Sequence, residues 1–179
     1  MHMETLCTGD EWLAGLRLDG HGEGALSLGE CITQLLLAKG QTLGVAESCT
    51  GGHIAAALTA GAGASQCFLG SAVAYTGKAK CLWAGLSAKA LEAYGEVSAP
   101  TTRLLAEGVR KTLEADWGLA VTGYAGPTGE KVGLCFVACA GPNGLLQEAS
   151  LCQPGPRTQV QAMAAAHALE VLRRCLLAA

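Results

Sequence analysis

The chain has 179 residues with 12 basic and 15 acidic side chains, so its formal net charge is −3. Half of the residues are hydrophobic and 15% are charged, which excludes an intrinsically disordered chain, because such chains are poor in apolar residues and rich in charge. The acidic balance also disfavours a nucleic-acid-binding protein, which needs surplus Lys and Arg to displace counterions. The length predicts one domain, since domains commonly run to ~100–200 residues.

The sequence predicts a soluble, cytoplasmic protein without a membrane partner. No uninterrupted apolar run reaches the ~18–20 residues that cross a bilayer, and the first residues lack the basic and apolar regions of a signal peptide. The nine cysteines include no CxxC pair, and an odd number without an export signal indicates free thiols that mostly fill the core. We expect no metal site and no cofactor.

Residues 1–25 show no sustained period, so we interpret them as a variable extension with a short helix around Trp12. Residues 26–179 are predicted to form a single domain. Its first helix is indicated by the capping box of Ser27 and Glu30, in which each side chain reaches the other residue's backbone N–H. Gly40 is a suitable residue for the end of that helix, because glycine readily adopts the left-handed conformation found there.

Helices and strands then alternate along the chain. The predicted elements are a strand over 41–46, a helix over 51–60 capped by Thr50, a strand over 68–75, a helix over 78–84, a short helix from Ser87, a helix from Ser98 to about 114 with Pro100 in its first turn, a strand over 117–122, a hairpin of 131–140 and 145–152 around Asn143-Gly144, and a helix over 157–177. Alternation with one hairpin predicts an α/β fold in which helices cover both faces of a mixed sheet.

The segment 47–52 holds the first candidate site. A buried strand runs through Glu47 and Ser48 into the turn of Gly51 and Gly52, which opens a helix. Ligands of α/β sheets bind at the carboxyl ends of strands, where the first N–H groups of a helix can stabilise a phosphate or an oxyanion. The alternative is that Ser48 and Thr50 merely cap the helix.

Two further segments follow predicted strands. Tyr75 ends a strand and Lys80 lies in the next helix, where a lysine in an apolar site can lose its charge and act as a base. The alternative is that Lys78 and Lys80 are two exposed lysines on a helix surface. The loop over 122–131 either shapes a ligand pocket or simply turns the chain.

Taken together, these segments resemble the CinA C-terminal domain family in order and spacing, over roughly residues 26–177. Its stand-alone members include the bacterial nicotinamide mononucleotide deamidases of the PncC type. The matching segments are Glu47-Ser48-Cys49-Thr50-Gly51-Gly52, Tyr75-Thr76-Gly77-Lys78-Ala79-Lys80, Gly95-Glu96-Val97-Ser98, Thr122-Gly123-Tyr124-Ala125-Gly126-Pro127 and Val132-Gly133.

The resemblance implies a three-layer α/β/α sandwich with a mixed, mostly parallel sheet, and a homodimer. It also implies hydrolysis of the carboxamide of nicotinamide mononucleotide in pyridine-nucleotide salvage, without a metal. Ser48 is then the nucleophile, and Tyr75 and Lys80 handle the proton. The residues expected to bind the substrate are Glu47, Cys49, Thr50, Gly51, Gly52, Thr122, Gly123, Gly126 and Arg157.

The sequence departs from the family pattern at the ligand-binding segments. Gly77 stands where Asn is usual, Lys78 where an acidic residue is usual, and Gln161 where a second Arg is frequent, and the loop over 122–131 is short. A rival hypothesis is therefore a non-catalytic module that holds a nucleotide phosphate at the helix start after Thr50.

The sequence also bears on two side chains and on one activity of larger family members. His53 is a possible rival base, interpreted as a packing or pocket-rim residue. Glu47 either faces outward or orients Lys80. Larger family members carry an additional pyrophosphatase domain, for which 179 residues leave no room, so we expect that activity to be absent.

Overall fold

The computed structural model describes residues 26–129 and 131–179. The predicted extension over 1–25 and its helix around Trp12 lie outside the described residues. The helices are α1 (Leu28–Lys39), α2 (His53–Thr59), α3 (Gly77–Ala84), α4 (Ala88–Tyr94), α5 (Ala99–Thr112) and α6 (Arg157–Ala178), and the strands are β1 (Leu43–Glu47), β2 (Phe68–Val73), β3 (Trp117–Gly123), β4 (Leu134–Ala140) and β5 (Leu146–Cys152).

The five strands form one sheet in the order β2-β1-β3-β4-β5. Strand β1 pairs in parallel with β2 and β3, whereas β3 with β4 and β4 with β5 are antiparallel. The sheet is therefore mixed, as predicted, and four of its five described strands run in the same direction, with β4 reversed. The carboxyl ends of β1, β2 and β3 meet at one edge, which also holds the start of β4 and the end of β5.

Helices cover both faces of the sheet, which confirms the α/β fold with three layers. The helices α1, α2 and α6 pack on one face through large side chains, which belong to one core with Val45, Leu119 and Val121. Helix α5 packs on the other face against Ala46, Ala120 and Ala138. Small side chains on that face let α5 approach closely, since an added Cβ at Gly118 would lie 2.1 Å from the carbonyl oxygen of Ala106.

The predicted helix starts at Ser27, Ser87 and Ser98 are confirmed, and each serine caps its helix. Ser27 and Glu30 form the capping box of α1, and Ser87 and Ser98 accept hydrogen bonds from the third residues of α4 and α5. The predicted cap at Thr50 is wrong: α2 begins at His53 and has no side-chain cap at its N-cap residue, Gly52. A buried carboxylate from β1 takes that role, as described below.

The strand boundaries move by one to three residues from the predicted ones. Strand β1 extends to Glu47, β2 ends at Val73 and β4 begins only at Leu134. The hairpin turn lies where predicted, with positive φ angles at Asn143 and Gly144. Within the part of the chain that the structure describes, no helix is long and apolar enough to span a bilayer.

Five of the described cysteines are buried free thiols, which confirms their predicted place in the core. They are Cys49, Cys67, Cys135, Cys139 and Cys175.

Candidate active site

Glu47, the last residue of β1, is fully buried and binds the start of α2. Its carboxylate accepts hydrogen bonds from the backbone N–H groups of Gly52 (2.8 Å), Ile54 (3.2 Å) and Ala55 (2.9 Å) and from the hydroxyls of Thr50 (2.8 Å) and Ser71 (3.2 Å). Negative charge is stabilising at a helix N-terminus, where the first N–H groups lack partners. The carboxylate therefore fixes the turn between β1 and α2.

This arrangement corrects two expectations from the sequence. Glu47 neither faces outward nor pairs with Lys80, so both orientations considered for it are wrong. The first N–H groups of α2 are also not open to a ligand, since Glu47 already accepts from three of them. In the turn itself, the N–H groups of Cys49 and Thr50 have no acceptor among the described residues.

Ser48 lies on this turn, one residue after the end of β1. It is 5% exposed, and its hydroxyl makes no hydrogen bond within the described ranges. The described residues therefore leave this hydroxyl unengaged. Its neighbour Cys49 is a poor nucleophile, because the hydrogen bond that its thiol donates to Cys135, together with burial, raises the pKa of the Cys49 thiol well above its usual range, and the thiolate is the reactive form.

Lys80 is held in the first turns of α3, whose start is capped by Thr76 through Ala79 N–H at 3.2 Å. The side chain of Lys80 is only 1% exposed, and its Nζ lies 3.4 Å from a carboxylate oxygen of Glu96. Lys78 on the same helix is exposed. The interpretation as two exposed lysines therefore holds for Lys78 and is wrong for Lys80.

Tyr75 follows β2 at the same sheet edge and contacts a residue distant in sequence. The guanidinium of Arg157 donates to the Tyr75 hydroxyl and to the carbonyl of Gly126, each at 2.6 Å. Gln161, one turn further along α6, donates to the carbonyl of Cys49 at 3.0 Å. The start of α6 thus joins Tyr75, the loop after β3 and the Ser48 turn.

The end of β3, just before its loop, carries a buried polar pair. Thr122 is fully buried, and its hydroxyl lies 2.7 Å from that of Thr102, which donates to the carbonyl of Ser98 at 2.7 Å. The hydroxyl of Thr122 is therefore engaged in the interior. An added Cβ at Gly123 would lie 2.5 Å from the Cys135 sulfur, so Gly123 is required for packing with β4.

The topology places the three predicted catalytic residues at one edge of the sheet, although no hydrogen bond joins any two of them within the described ranges. The Tyr75 hydroxyl accepts from Arg157 and Lys80 donates to Glu96, whereas the Ser48 hydroxyl has no partner in the described part of the chain. The hydroxyls of Thr50 and Thr122 face inward, and His53 contacts the Thr50 carbonyl through Nδ1. Sequence reasoning assigned no role to Glu96, although it lies in a segment that matched the family.

Two surface grooves lie away from this edge. One, of about 430 Å³, is lined by His167, Glu170 and Arg174 of α6 and by the outer hairpin strand. The other, of about 420 Å³, lies between β2 and α5. Neither groove is lined by Ser48, Tyr75 or Lys80.

These features define an α/β domain of three layers, with a serine, a tyrosine and a buried lysine at the carboxyl edge of its sheet. The chain belongs to the CinA C-terminal domain family, whose model matches residues 25–176.

Curated relatives extend well beyond this domain. A CinA-like protein of Prochlorococcus marinus (strain MIT 9313) is 43% identical over 164 residues, which are 88% of this chain and 38% of that protein. A CinA-like protein of Myxococcus xanthus (strain DK1622) is 43% identical over 152 residues, or 83% of this chain and 36% of that protein. The chain therefore spans less than two fifths of the length of these relatives.

Solved structures share the fold over most of their length. The competence/damage inducible protein CihA from Agrobacterium tumefaciens has a TM-score of 0.79 and 34% identity, covering 84% of this chain and 93% of that one. A CinA superfamily protein from Klebsiella pneumoniae 700603 has a TM-score of 0.80 and 29% identity, covering 85% of this chain and 97% of that one.

Proposed function

We propose that this domain is an amidohydrolase that converts nicotinamide mononucleotide to nicotinate mononucleotide and ammonia in pyridine-nucleotide salvage. The observation that carries the proposal is the unpaired hydroxyl of Ser48, on a turn fixed from beneath by Glu47, at the edge that bears Tyr75 and Lys80. Membership of the family, in which the sequence resemblance implies this reaction, supports the choice of substrate.

The reaction follows the logic of a nucleophile activated by a neighbouring base. The Tyr75–Lys80 pair takes the proton of the Ser48 hydroxyl as the serine oxygen bonds to the carboxamide carbon. The tetrahedral intermediate then expels ammonia, which takes that proton back from the pair, and an ester on Ser48 remains. Water attacks the ester, the serine oxygen regains a proton, and the carboxylic acid leaves.

The remaining groups stabilise and orient the substrate. The N–H groups of Cys49 and Thr50 are the donors available to the oxyanion of the tetrahedral intermediate, a kind of interaction worth about 3–4 kcal/mol per donor. Arg157 suits the nucleotide phosphate, because its guanidinium forms paired bonds with phosphate oxygens. Tyr75 accepts from Arg157, so its own O–H proton is free to be donated.

The test is ammonia release from nicotinamide mononucleotide, with nicotinamide and its riboside as comparison substrates. Ser48→Ala is expected to abolish release, whereas Ser150→Ala, an exposed serine on β5, is the matched control and keeps it. EDTA is expected to have no effect, because no step uses a metal. Wild-type turnover in Ser48→Ala contradicts the acyl-enzyme scheme.

The rival hypothesis, a non-catalytic nucleotide-binding module, is separated by the same assay. It predicts saturable binding of the nucleotide by the wild-type protein with no ammonia produced. Its supposed phosphate site at the start of α2 is occupied by Glu47, which favours the hydrolase. Homodimer formation stays a prediction, which sedimentation velocity checks.

A further inference from the structure

Lys80 has one charged partner among the described residues, Glu96, which lies in the connection between α4 and α5. Its side chain is 1% exposed, whereas that of Glu96 is 55% exposed, and the atoms Lys80 Nζ and Glu96 Oε2 are 3.4 Å apart. An ammonium group has three N–H donors, and the Lys80 ammonium uses one of them, toward Glu96, within the described residues. Without Glu96, the charge of Lys80 would be buried and unpaired, which is strongly destabilising.

Gly77 provides the space in which this carboxylate lies. A Cβ added at Gly77 would come within 2.7 Å of Glu96 Oε1 and 3.2 Å of its carboxyl carbon. Such distances are too short for contact between a methyl group and an oxygen, so any larger residue at position 77 would displace the carboxylate. The φ angle of Gly77 is not in the left-handed region, so the space beside Glu96 explains this glycine.

The backbone around Glu96 is fixed on both sides. The preceding Gly95 has a φ of 76° and closes the end of α4, with its N–H bonded to the Leu91 carbonyl at 2.8 Å. The carbonyl of Gly95 accepts from the Thr101 hydroxyl at 2.6 Å, and Ser98 caps α5. The short connection therefore holds the carboxylate beside Lys80, although the side chain is largely exposed.

We propose that Glu96 is a positioning residue for Lys80, and that Gly77 is required because it makes room for this carboxylate. The inference rests on the proposed function. As the Ser48 proton passes to the Tyr75–Lys80 pair, positive charge is held on Lys80 Nζ, and the negative charge of Glu96, 3.4 Å away, stabilises it there. Glu96 thus acts through Lys80, as the aspartate of a serine triad acts through its histidine, and no further reactant is needed.

The kinetic test compares kcat and KM for ammonia release in the full chain. Glu96→Gln is expected to lower kcat about tenfold or more, in the range of effects of proton-transfer groups, with KM changed less than about twofold. Glu92→Gln, an exposed carboxylate on α4, is the control and keeps both values. An unchanged kcat, or a loss confined to KM, would overturn the proposal.

The role of Gly77 is tested by coupling. Gly77→Ala is expected to lower kcat several-fold in the wild-type chain and to have little effect in the Glu96→Ala background, where no carboxylate remains to be displaced. An equal loss in both backgrounds would show that Gly77 acts independently of Glu96, and would refute the coupling.

A stability measurement keeps the pair testable if the wild-type protein releases no ammonia. Glu96→Gln is expected to lower the urea midpoint, because it leaves a buried ammonium without its partner. Adding Lys80→Met to that variant is expected to restore the midpoint. If Glu96→Gln leaves the midpoint unchanged, Glu96 does not stabilise the Lys80 ammonium. Absent ammonia with a positive cycle refutes the hydrolase and leaves the ion pair established.

Discussion

Replacing Glu47 with Gln tests whether one buried carboxylate fixes the turn between β1 and α2 that carries Ser48. Its Oε2 accepts from three donors and its Oε1 from two, of which Ala55 N–H cannot reverse its direction. In Glu47→Gln, the amide oxygen is best placed at the Oε2 position, so the NH2 group faces Ala55 N–H. The hydroxyl of Ser71 can turn and accept instead.

The magnitude follows from these contacts. A buried N–H without an acceptor costs about 1–3 kcal/mol, and loss of negative charge at a helix N-terminus costs about 0.3–1 kcal/mol. Bonds that remain become weaker, because bonds to a charged acceptor are stronger than bonds to a neutral one. We expect a loss of about 2–4 kcal/mol in the free energy of unfolding, or about 4–16 °C in Tm for a domain of this size.

The assay is urea unfolding followed by far-UV circular dichroism, with ammonia release measured under native conditions. The control is Glu92→Gln, whose carboxylate is exposed and whose loss is expected to stay within about 0.5 kcal/mol. Ammonia release by Glu47→Gln should fall mainly through kcat, because the turn that carries Ser48 loses its support. If the free energy of unfolding of Glu47→Gln stays within about 0.5 kcal/mol of the wild-type value, a margin typical of surface changes, this reasoning is refuted.

Two further predictions concern stability. Gly108→Ala should lower the free energy of unfolding by at least about 2 kcal/mol, since the added Cβ would lie 1.9 Å from the Ala84 carbonyl oxygen. The control Gly40→Ala has open space around its Cβ but a φ of 62°, and should lower it by only about 1 kcal/mol. Equal losses in the two variants would contradict the packing argument. Burial and the charge of Arg174 lower the pKa of His167 below 6.5, so the unfolded chain binds this proton first and stability falls as pH drops below 6.5 toward the folded-state pKa. Urea unfolding at pH 7.5 and 5 should therefore show a smaller pH dependence for His167→Gln than for the wild type, and an identical dependence would exclude His167 as the cause.

The parts of the fold that local chemistry decides were predictable from the sequence. The caps at Ser27, Ser87 and Ser98 and the turn at Asn143 each depend on a side chain and its immediate neighbours. The exact ends of the strands were not predictable, because pairing with neighbouring strands decides where each strand begins and ends. Strand β4 begins late, after Gly133, where an added Cβ would lie 2.3 Å from the backbone of Gln153.

The candidate site shows the same division. The positions of Ser48, Tyr75 and Lys80 at one sheet edge follow from the alternation of strands and helices, because the carboxyl ends of the parallel strands β1 and β2 meet there. The role of Glu47 was missed because Thr50 was expected to cap α2. In the structure, the Thr50 hydroxyl instead donates to the Glu47 carboxylate. The contact of Glu96 with Lys80 crosses 16 residues and depends on the space beside Gly77, which no local pattern reveals.

The chain reverses direction at β4 and again at β5, and these two reversals decide where α6 begins. Cys135 lies beside Gly123, and Cys152 lies beside Leu134, so β5 returns the chain to the edge from which β3 left it. Helix α6 therefore starts where the first three strands stop, and its first residue, Arg157, reaches Tyr75 across 82 positions of sequence. If β4 and β5 ran in the opposite directions, α6 would begin at the opposite edge of the sheet, and the Arg157 guanidinium would lie far from Tyr75 and from the turn that carries Ser48.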